Sequence, residues 1–539
     1  MTMPVQIPPP PTGQPSALVS LSTTSPNAPT FACKAHREQL PRWNFCLDML
    51  GGTDYIRTRG EQYNPKMPAE SQGDYDKRLQ RSDFFSMFEE TCGGLTGMVL
   101  RKPIDFEDET PEALTDLAED IDGMGTGLNI WARRFLFDSI ARGHMGLLVD
   151  YPEVDGNPSL GERRDEYKMR AYFCMVAPEN ILNWRTTVEY GRLVLTLLTL
   201  REIVQRPLGD FGEEFITRYR VYRRERVADT GQVTVEVWES DAQGKKVRLV
   251  TPSRPVTPCT TIPFAVHYSG ATLGYLYSKP PLLELAFTNI AHYQMQSDYR
   301  NSLHISSAPI LVTKGLRRRA GGATQAVGAA IGMECGKDGD IKYVEHTGAA
   351  LGSARIAIQD VEARAAALGL AMLKREARTA ETLGAVKLDK SEQASKLALA
   401  AKNLEDVLEV AFGYAAEFMA VEYETEVVVN QDFSDLTFDP DMIRALNELV
   451  AAGNLTRETM WDLLIRGGTL PDSFDAKGEA KSLDKQENAA LLQQVKDAAA
   501  ARAAAGPGAV PGTKPSLTLQ PGGKAPAPAP KPMAKAAAR

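Results

Sequence analysis

Six histidines, six cysteines and one glycine-rich stretch are where this 539-residue chain would carry chemistry, if it carries any. The histidines at 36, 144, 267, 292, 304 and 346 are scattered. No pair has ligand spacing on one helix, since even His292 and His304 stand twelve residues apart. Each reads as a structural or surface histidine. Cys33, Cys46, Cys92, Cys174, Cys259 and Cys335 form no CxxC pair. Their long spacings suit free thiols in a reducing cytoplasm better than a disulfide framework or a zinc site. The stretch "AGGATQAVGAAIGMECGKDG" invites a phosphate-loop reading and fails it. That loop needs a glycine five residues before its Gly-Lys pair, where this chain has Ile331, and a Ser or Thr after the lysine, where it has Asp338. A carboxylate there would repel phosphate. HExxH, GxSxG and a calcium-loop pattern are all missing from the sequence. The expectation is a non-enzyme with no cofactor, no metal and no catalytic residues; a hydrolase reading lacks a convergent acid, base or nucleophile set.

With 43% apolar and 24% charged residues, the composition is that of a folded soluble protein. Its length predicts about two to four domains. A formal net charge of −8 argues against a protein built to grip phosphates, which takes clustered Lys and Arg. It leaves room for one that stays near DNA without sticking. The opening "MTMPVQIPPPPTGQPS" has no basic or apolar signal region, and "LVLTLLTL" (193–200) is too short to span a bilayer and reads as a buried strand. No membrane partner is expected.

Several elements must position whatever the chain does. Residues 1–35 are Pro/Ser/Thr-rich and 501–539 Ala/Pro/Lys-rich; both are expected to be disordered. Residues 36–150 read as mainly helical, as in "GDYDKRLQRSDFFSMFEETCGGLTGMVL" and "NIWARRFLFDSIARGHMG", with "LLVDYP" a short strand. From about 170 to 268 strands take over, and "RYRVYRRERVADTGQVTVEVWES" carries a hairpin signal at "ADTG". A helix over 280–304 starts on prolines, and its second half is polar nearly all round: His292, Gln294, Gln296, Asp298, Arg300 and Asn301. Such a helix cannot sit in one monomer's core; it bridges solvent between domains or is surrounded by like helices of neighbouring subunits. A non-helical insert over 306–352 holds Arg317, Arg318 and Arg319, a partner patch or a solvated loop. A helix over 353–375 follows, with Ile358, Val361, Ala365, Leu368 and Met372 on one stripe. After "EARTAETLGAVKLDK" (376–390) a helix runs over 390–421, about 48 Å at 1.5 Å per residue. It opens on a capping pair, Asp389 and Glu392, and spaces Leu397, Ala400, Leu404, Val407, Ala411, Ala415 and Phe418 by three and four. A small helical module over 437–500 closes the folded part.

This order resembles that of the phage portal proteins, in particular a portal-like family long catalogued only as a phage domain of unknown function. The residues that carry it are "YDKRLQRSDFF" (75–85), "GLTGMVLRKP" (94–103), "LLVDYP", "APENILNWR" (177–185), "IPF" (262–264), "PPLLELAFTNIAHYQMQSDYRNSLH", "APIL" (308–311) and "ALGLAMLKREARTAETLGA". They span roughly residues 40–480. The chain departs from the family's habit at Ser82, Leu100 and Ala385.

The resemblance implies an α+β, mainly helical fold assembled as a ring of usually twelve subunits. It implies a wing over 36–277, stem helices over 278–305 and 353–375, a clip over 306–352, a tunnel loop over 376–389, a long tunnel and wing helix with a strand over 390–436, and a crown over 437–500. The implied function is a DNA channel at one capsid vertex for packaging, retention and ejection. Double-stranded DNA would pass without sequence-specific binding, and terminase, then head-completion and tail proteins, would dock at the clip. Capsid and scaffold proteins are further implied partners. The location would be the virion, after assembly in the host cytoplasm. Arg378, Thr379, Glu381, Thr382, Gly384 and Lys387 would face DNA, unless the stretch is a plain helix–helix turn. Arg317, Arg318 and Arg319 would meet the clip's partner. A non-portal minor capsid or head–tail adaptor protein is the alternative.

Overall fold

The computed structural model describes residues 20–106, 110–152, 169–227, 230–256, 258–307, 310–316, 335–344, 349–370, 396–423 and 426–430. Beyond these it describes 440–451, 456–466, 470, 474–475, 477–483, 485 and 493–497. The chain divides into two compact units, Met1–Phe433 and Ser434–Arg539.

The first unit begins with a short strand, β1 (Ser20–Ser22), and then a helical layer. Its helices are α1 (Lys34–Asp48), α2 (Gly52–Thr58), α3 (Gln72–Arg81), α4 (Met87–Val99), α5 (Glu112–Glu119) and α6 (Leu128–Arg142), with a two-residue strand β2 (Asp105–Phe106) before α5. Local chemistry sets their ends. The Ser71 hydroxyl accepts from the Asp74 N–H at 3.2 Å and caps α3. α6 stops at Gly143, whose φ of 97° only glycine adopts cheaply, and a Cβ there would meet the Lys279 carbonyl at 2.9 Å.

Strands follow in order: β3 (His144–Asp150), β4 (Tyr172–Val176), β5 (Ile181–Glu189), β6 (Arg192–Leu208), β7 (Gly212–Val227), β8 (Thr230–Ser240), β9 (Lys246–Pro255), β10 (Phe264–Tyr268), β11 (Thr272–Gly274) and β12 (Tyr277–Ser278). β10, β3 and β4 form a three-stranded sheet, and β1-β9-β8-β7-β6-β5 a six-stranded antiparallel one. The "ADTG" hairpin joins β7 to β8, with Val227 opposite Thr230. The last part runs α7 (Leu283–Ser306), β13 (Ile310–Leu316), β14 (Cys335–Val344), α8 (Ala349–Leu370), α9 (Lys396–Met419) and β15 (Val427–Val428), which pairs with β2. One apolar core joins the helical layer, the three-stranded sheet and α9; a smaller one, with Leu148, Leu198, Tyr222 and Phe264, lies between the two sheets. The fold is thus a mixed α and β one.

Two expectations change. Residues 20–33, which composition places in a disordered segment, are built into the fold: Ser20–Ser22 pairs with Lys246–Arg248, Ala28 is buried, and the Cys33 N–H donates to the Leu182 carbonyl at 2.9 Å. "LVLTLLTL" is a strand, but it is buried only at Leu198–Leu200, and Leu193 at its start is 56% exposed. The strand outruns the core that its end helps to build.

In the second unit, α10 (Pro440–Ala451) packs on α11 (Arg457–Arg466). Leu446, Trp461 and Leu464 are buried, and Phe474 meets Trp461 edge-on at 5.8 Å.

Candidate functional site

The segment α7–β13–β14–α8–α9 is where the sequence points to function. Its first element is anchored by polar groups. Leu283, Leu285 and Ala286 bury the start of α7 in the apolar core, but Thr288, Asn289, His292 and Ser297 are buried too. The Asn289 carboxamide bridges to α4: its Oδ1 accepts from the Phe88 N–H at 3.0 Å, and its Nδ2 donates to the Phe85 carbonyl at 2.8 Å. A first-turn N–H that no helix can satisfy for itself is thus met by a side chain of another helix.

Just over two turns further on, the Ser297 hydroxyl meets Asn64 Nδ2 at 3.0 Å, Ser82 Oγ at 2.7 Å and Arg78 Nη1 at 3.3 Å. The Arg78 side chain is 1% exposed and pairs with Glu70 through two bonds, at 2.8 and 2.9 Å. It also donates to Asn64 Oδ1 at 2.6 Å and the Pro65 carbonyl at 2.9 Å. The hydrogen bond from Arg78 holds the Glu70 carboxyl below its usual range, and the same bond raises the guanidinium. Gln294 donates to the Tyr63 carbonyl at 2.9 Å, and Arg300 to Asp83 Oδ2 at 2.9 Å. The expectation that this polar helix cannot sit in one monomer's core changes in part: His292 and Ser297 are buried within one chain, Gln294, Gln296, Arg300 and Asn301 are half-buried, and Asp298 is exposed. The same chain supplies partners for the buried Asn289 and Ser297 groups, while His292 Nδ1 and the Tyr293 hydroxyl are buried without one among the described residues.

The end of α7 differs. Ser302, Leu303, His304 and Ile305 are all exposed, so the last turn leaves the core on every side. β13 and β14 pair as a hairpin, Ile310 opposite Val344 and Lys314 opposite Asp340, where sequence predicts only a non-helical insert. Lys337 of the rejected phosphate loop lies in β14. α8 packs along α7 on the predicted stripe, with Ile358 and Ala365 buried, Val361 and Leu368 half-buried, and Glu362 Oε1 3.2 Å from His292 Nε2. It begins at Ala349, four residues before its predicted start.

α9 is an apolar pillar. All seven residues of its predicted three-and-four spacing are buried. Phe412 lies between Phe106 and Phe173, and Phe418 stacks on Tyr151 at 5.4 Å. The Ala400 carbonyl can only accept, so the 2.8 Å contact puts the His267 proton on Nε2. His267 Nδ1 then accepts from the Ser139 hydroxyl at 2.7 Å. Burial pushes His267 down to about 4 and His144, bonded to Ser278 Oγ at 2.8 Å, down to about 3. Both are neutral structural histidines at neutral pH. His36 is buried as well, on the Glu179 carbonyl at 3.2 Å. Glu405 and Glu409 of α9 accept from the Val429 and Val427 N–H groups at 3.3 and 3.2 Å and tie down β15.

Cys33, Cys46, Cys92, Cys174 and Cys259 are free thiols. Among the described residues no group of three His, Cys, Asp or Glu could hold a metal ion, and no helix is long and apolar enough to cross a membrane. The expected DNA-facing residues Arg378, Thr379, Glu381, Thr382, Gly384 and Lys387, and the expected clip residues Arg317, Arg318 and Arg319, lie outside the described residues. What sequence reasoning missed is the buried set Asn64, Glu70, Arg78 and Ser297. The one available signal was a serine amid the polar half of α7.

Residues 281–419 match the model of a family described as a domain of unknown function, DUF4055. The match opens at the start of α7 and closes at the end of α9, inside the longer stretch, roughly residues 40–480, over which the sequence resembles the portal-like family. No curated protein matches the chain. Among solved structures, a chain from the neck of an empty gene transfer agent particle is 12% identical, with a TM-score of 0.35, over 70% of this chain and 90% of that one. A chain from the virion of a native gene transfer agent particle is also 12% identical at 0.35, over 76% and 98%. These scores are too low to carry an argument.

Proposed function

We propose that the chain is the subunit of a portal ring, a channel through which double-stranded DNA enters and leaves a phage capsid at one vertex. The observation that carries this reading is the order helix, hairpin, helix, core helix over Leu283–Met419, coincident with the DUF4055 match. In this reading α7 and α8 are the stem, the β13–β14 hairpin belongs to the clip, residues 376–389 are the tunnel loop, and α9 ties that loop to the wing. The exposed last turn of α7, with Leu303 and Ile305 in solvent, suits a helix flanked by copies of itself. A net charge of −8 per chain, repeated around a ring, repels the DNA backbone and lets it slide. Terminase and later the head-completion proteins would dock at the clip, with Arg317, Arg318 and Arg319 in contact.

Purified full-length protein should form closed rings with a central hole in negative-stain images. A strictly monomeric species at every concentration, with and without procapsid proteins, would overturn the reading. Deleting Thr379–Val386 should leave rings intact and impair packaging or DNA retention; failure to assemble would make that stretch structural instead. Changing Arg317, Arg318 and Arg319 to Ala should weaken terminase docking on intact rings.

A further inference from the structure

The six-stranded sheet has two unlike ends. β5 accompanies β6 only as far as the pair Ile181–Leu200, and β8 accompanies β7 only as far as Glu239–Arg218. Beyond those pairs β6 and β7 continue alone, among the described residues, to the turn Gly209–Phe211. A two-stranded ribbon with no third strand is marginal by itself in water. This one still exposes large apolar side chains: Phe211 at its tip is 99% exposed, and Ile203, Leu208 and Phe215 are more exposed than buried. Around them stand three exposed carboxylates, Asp210, Glu213 and Glu214, with no ion-pair partner among the described residues. The arm is apolar and acidic.

The other end is apolar and basic. The two-residue turn Tyr190–Gly191 joins β5 to β6, both residues with positive φ as such turns require. The Tyr190 ring is 78% exposed, with the Arg226 guanidinium 5.1 Å from its centroid. Val188 and Leu193 are exposed on the flanking strands, and so are Arg185 and Arg192, which have no ion-pair partner among the described residues. Both ends sit on β6, so roughly 50 Å of strand at about 3.3 Å per residue keeps them apart within one chain. Neither can cover the other.

We infer that the arm of one copy docks on the basic turn of the next, Phe211 against the Tyr190 surface and Glu213 and Glu214 against Arg185 and Arg192. The occupant of each end is a second copy of this chain, because that copy presents the charge and the apolar surface the end lacks. The inference rests on the ring reading in one respect: a contact between two different patches of identical subunits repeats head to tail, and it closes into a ring when the rotation allows.

The test uses full-length protein. Glu213→Lys with Glu214→Lys, and separately Arg185→Glu with Arg192→Glu, should each raise the concentration for half-assembly by about tenfold or more. Mixing the two variants should restore assembly, because reversed arm then meets reversed turn. Oxidising a Phe211→Cys, Tyr190→Cys variant should give a covalent ladder that either single variant lacks. Wild-type rings, charge variants that assemble like wild type, and no ladder would overturn this contact and leave the ring reading standing. A ladder and mixing-dependent open chains, with no closed ring from the wild type, would do the reverse. No ladder and no ring would sink both.

Discussion

α7 and α9 are each 24 residues long and both belong to the DUF4055 segment, yet opposite means bury them. α9 is held by an apolar stripe, and its few polar contacts cap other elements. α7 is held over its second half by hydrogen bonds and ion pairs to the first helices of the chain. The lesson concerns error tolerance. An apolar stripe accepts volume-conserving swaps at under about 1.5 kcal/mol. A buried polar set has one satisfied arrangement, and removing one member strands the others.

Substitutions can break this comparison. Phe412→Ala should remove about 4 kcal/mol of stability by opening a cavity between Phe106 and Phe173, read as a shift in urea midpoint. Arg78→Ala should cost about 3 kcal/mol or more, since it leaves the Glu70 carboxylate without its cation and the buried Asn64 Oδ1 without its donor. Adding Glu70→Ala should recover part of that loss. If Arg78→Ala costs under about 1 kcal/mol, α7 is held like α9 and the contrast disappears.

Acid should separate the two helices as well. His267, on the α9 side, has its folded pKa depressed to about 4 from 6.5, so the unfolded chain takes up its proton first. Its contribution is complete above pH 6.5 and is lost as pH falls toward 4, roughly 3 kcal/mol in all. Glu70, on the α7 side, has its folded pKa lowered below 4.5, so its contribution stays until pH drops under that value. Hydrogen exchange across that range should therefore loosen α9 before the contacts of α7. The reverse order would contradict the assignment of His267 as a neutral buried group. Ser297→Ala should cost about 1 to 2 kcal/mol through the stranded Asn64 and Ser82 groups. Leu193→Ser, at an exposed strand start, should change monomer stability by less than about 0.5 kcal/mol.

Sequence made α9 legible because its partners lie on a repeating stripe, and periodicity reports such a stripe directly. The same holds for Ile358 and Ala365 of α8 and for the β7–β8 turn. The burial of α7 was not legible. Ser297 finds Asn64, Arg78 and Ser82 more than two hundred residues earlier, and no local pattern encodes a hydrogen bond across that distance. β13 and β14 hid in a glycine-rich insert whose composition speaks for loops. β1 hid in a Pro/Ser/Thr segment, because a three-residue edge strand needs only a free neighbouring edge, here β9.

The Asn289 bridge sets an order of events during synthesis. The amide of Phe88 waits for an acceptor 201 residues further along the chain. At ribosomal speeds that is about 10 to 40 s. For that interval the N-terminal helices have left the exit tunnel with the start of α4 open and Arg78 lacking part of its cage. A newborn chain cannot finish its first layer before most of its strands exist, so the opening helices keep the timetable of translation itself.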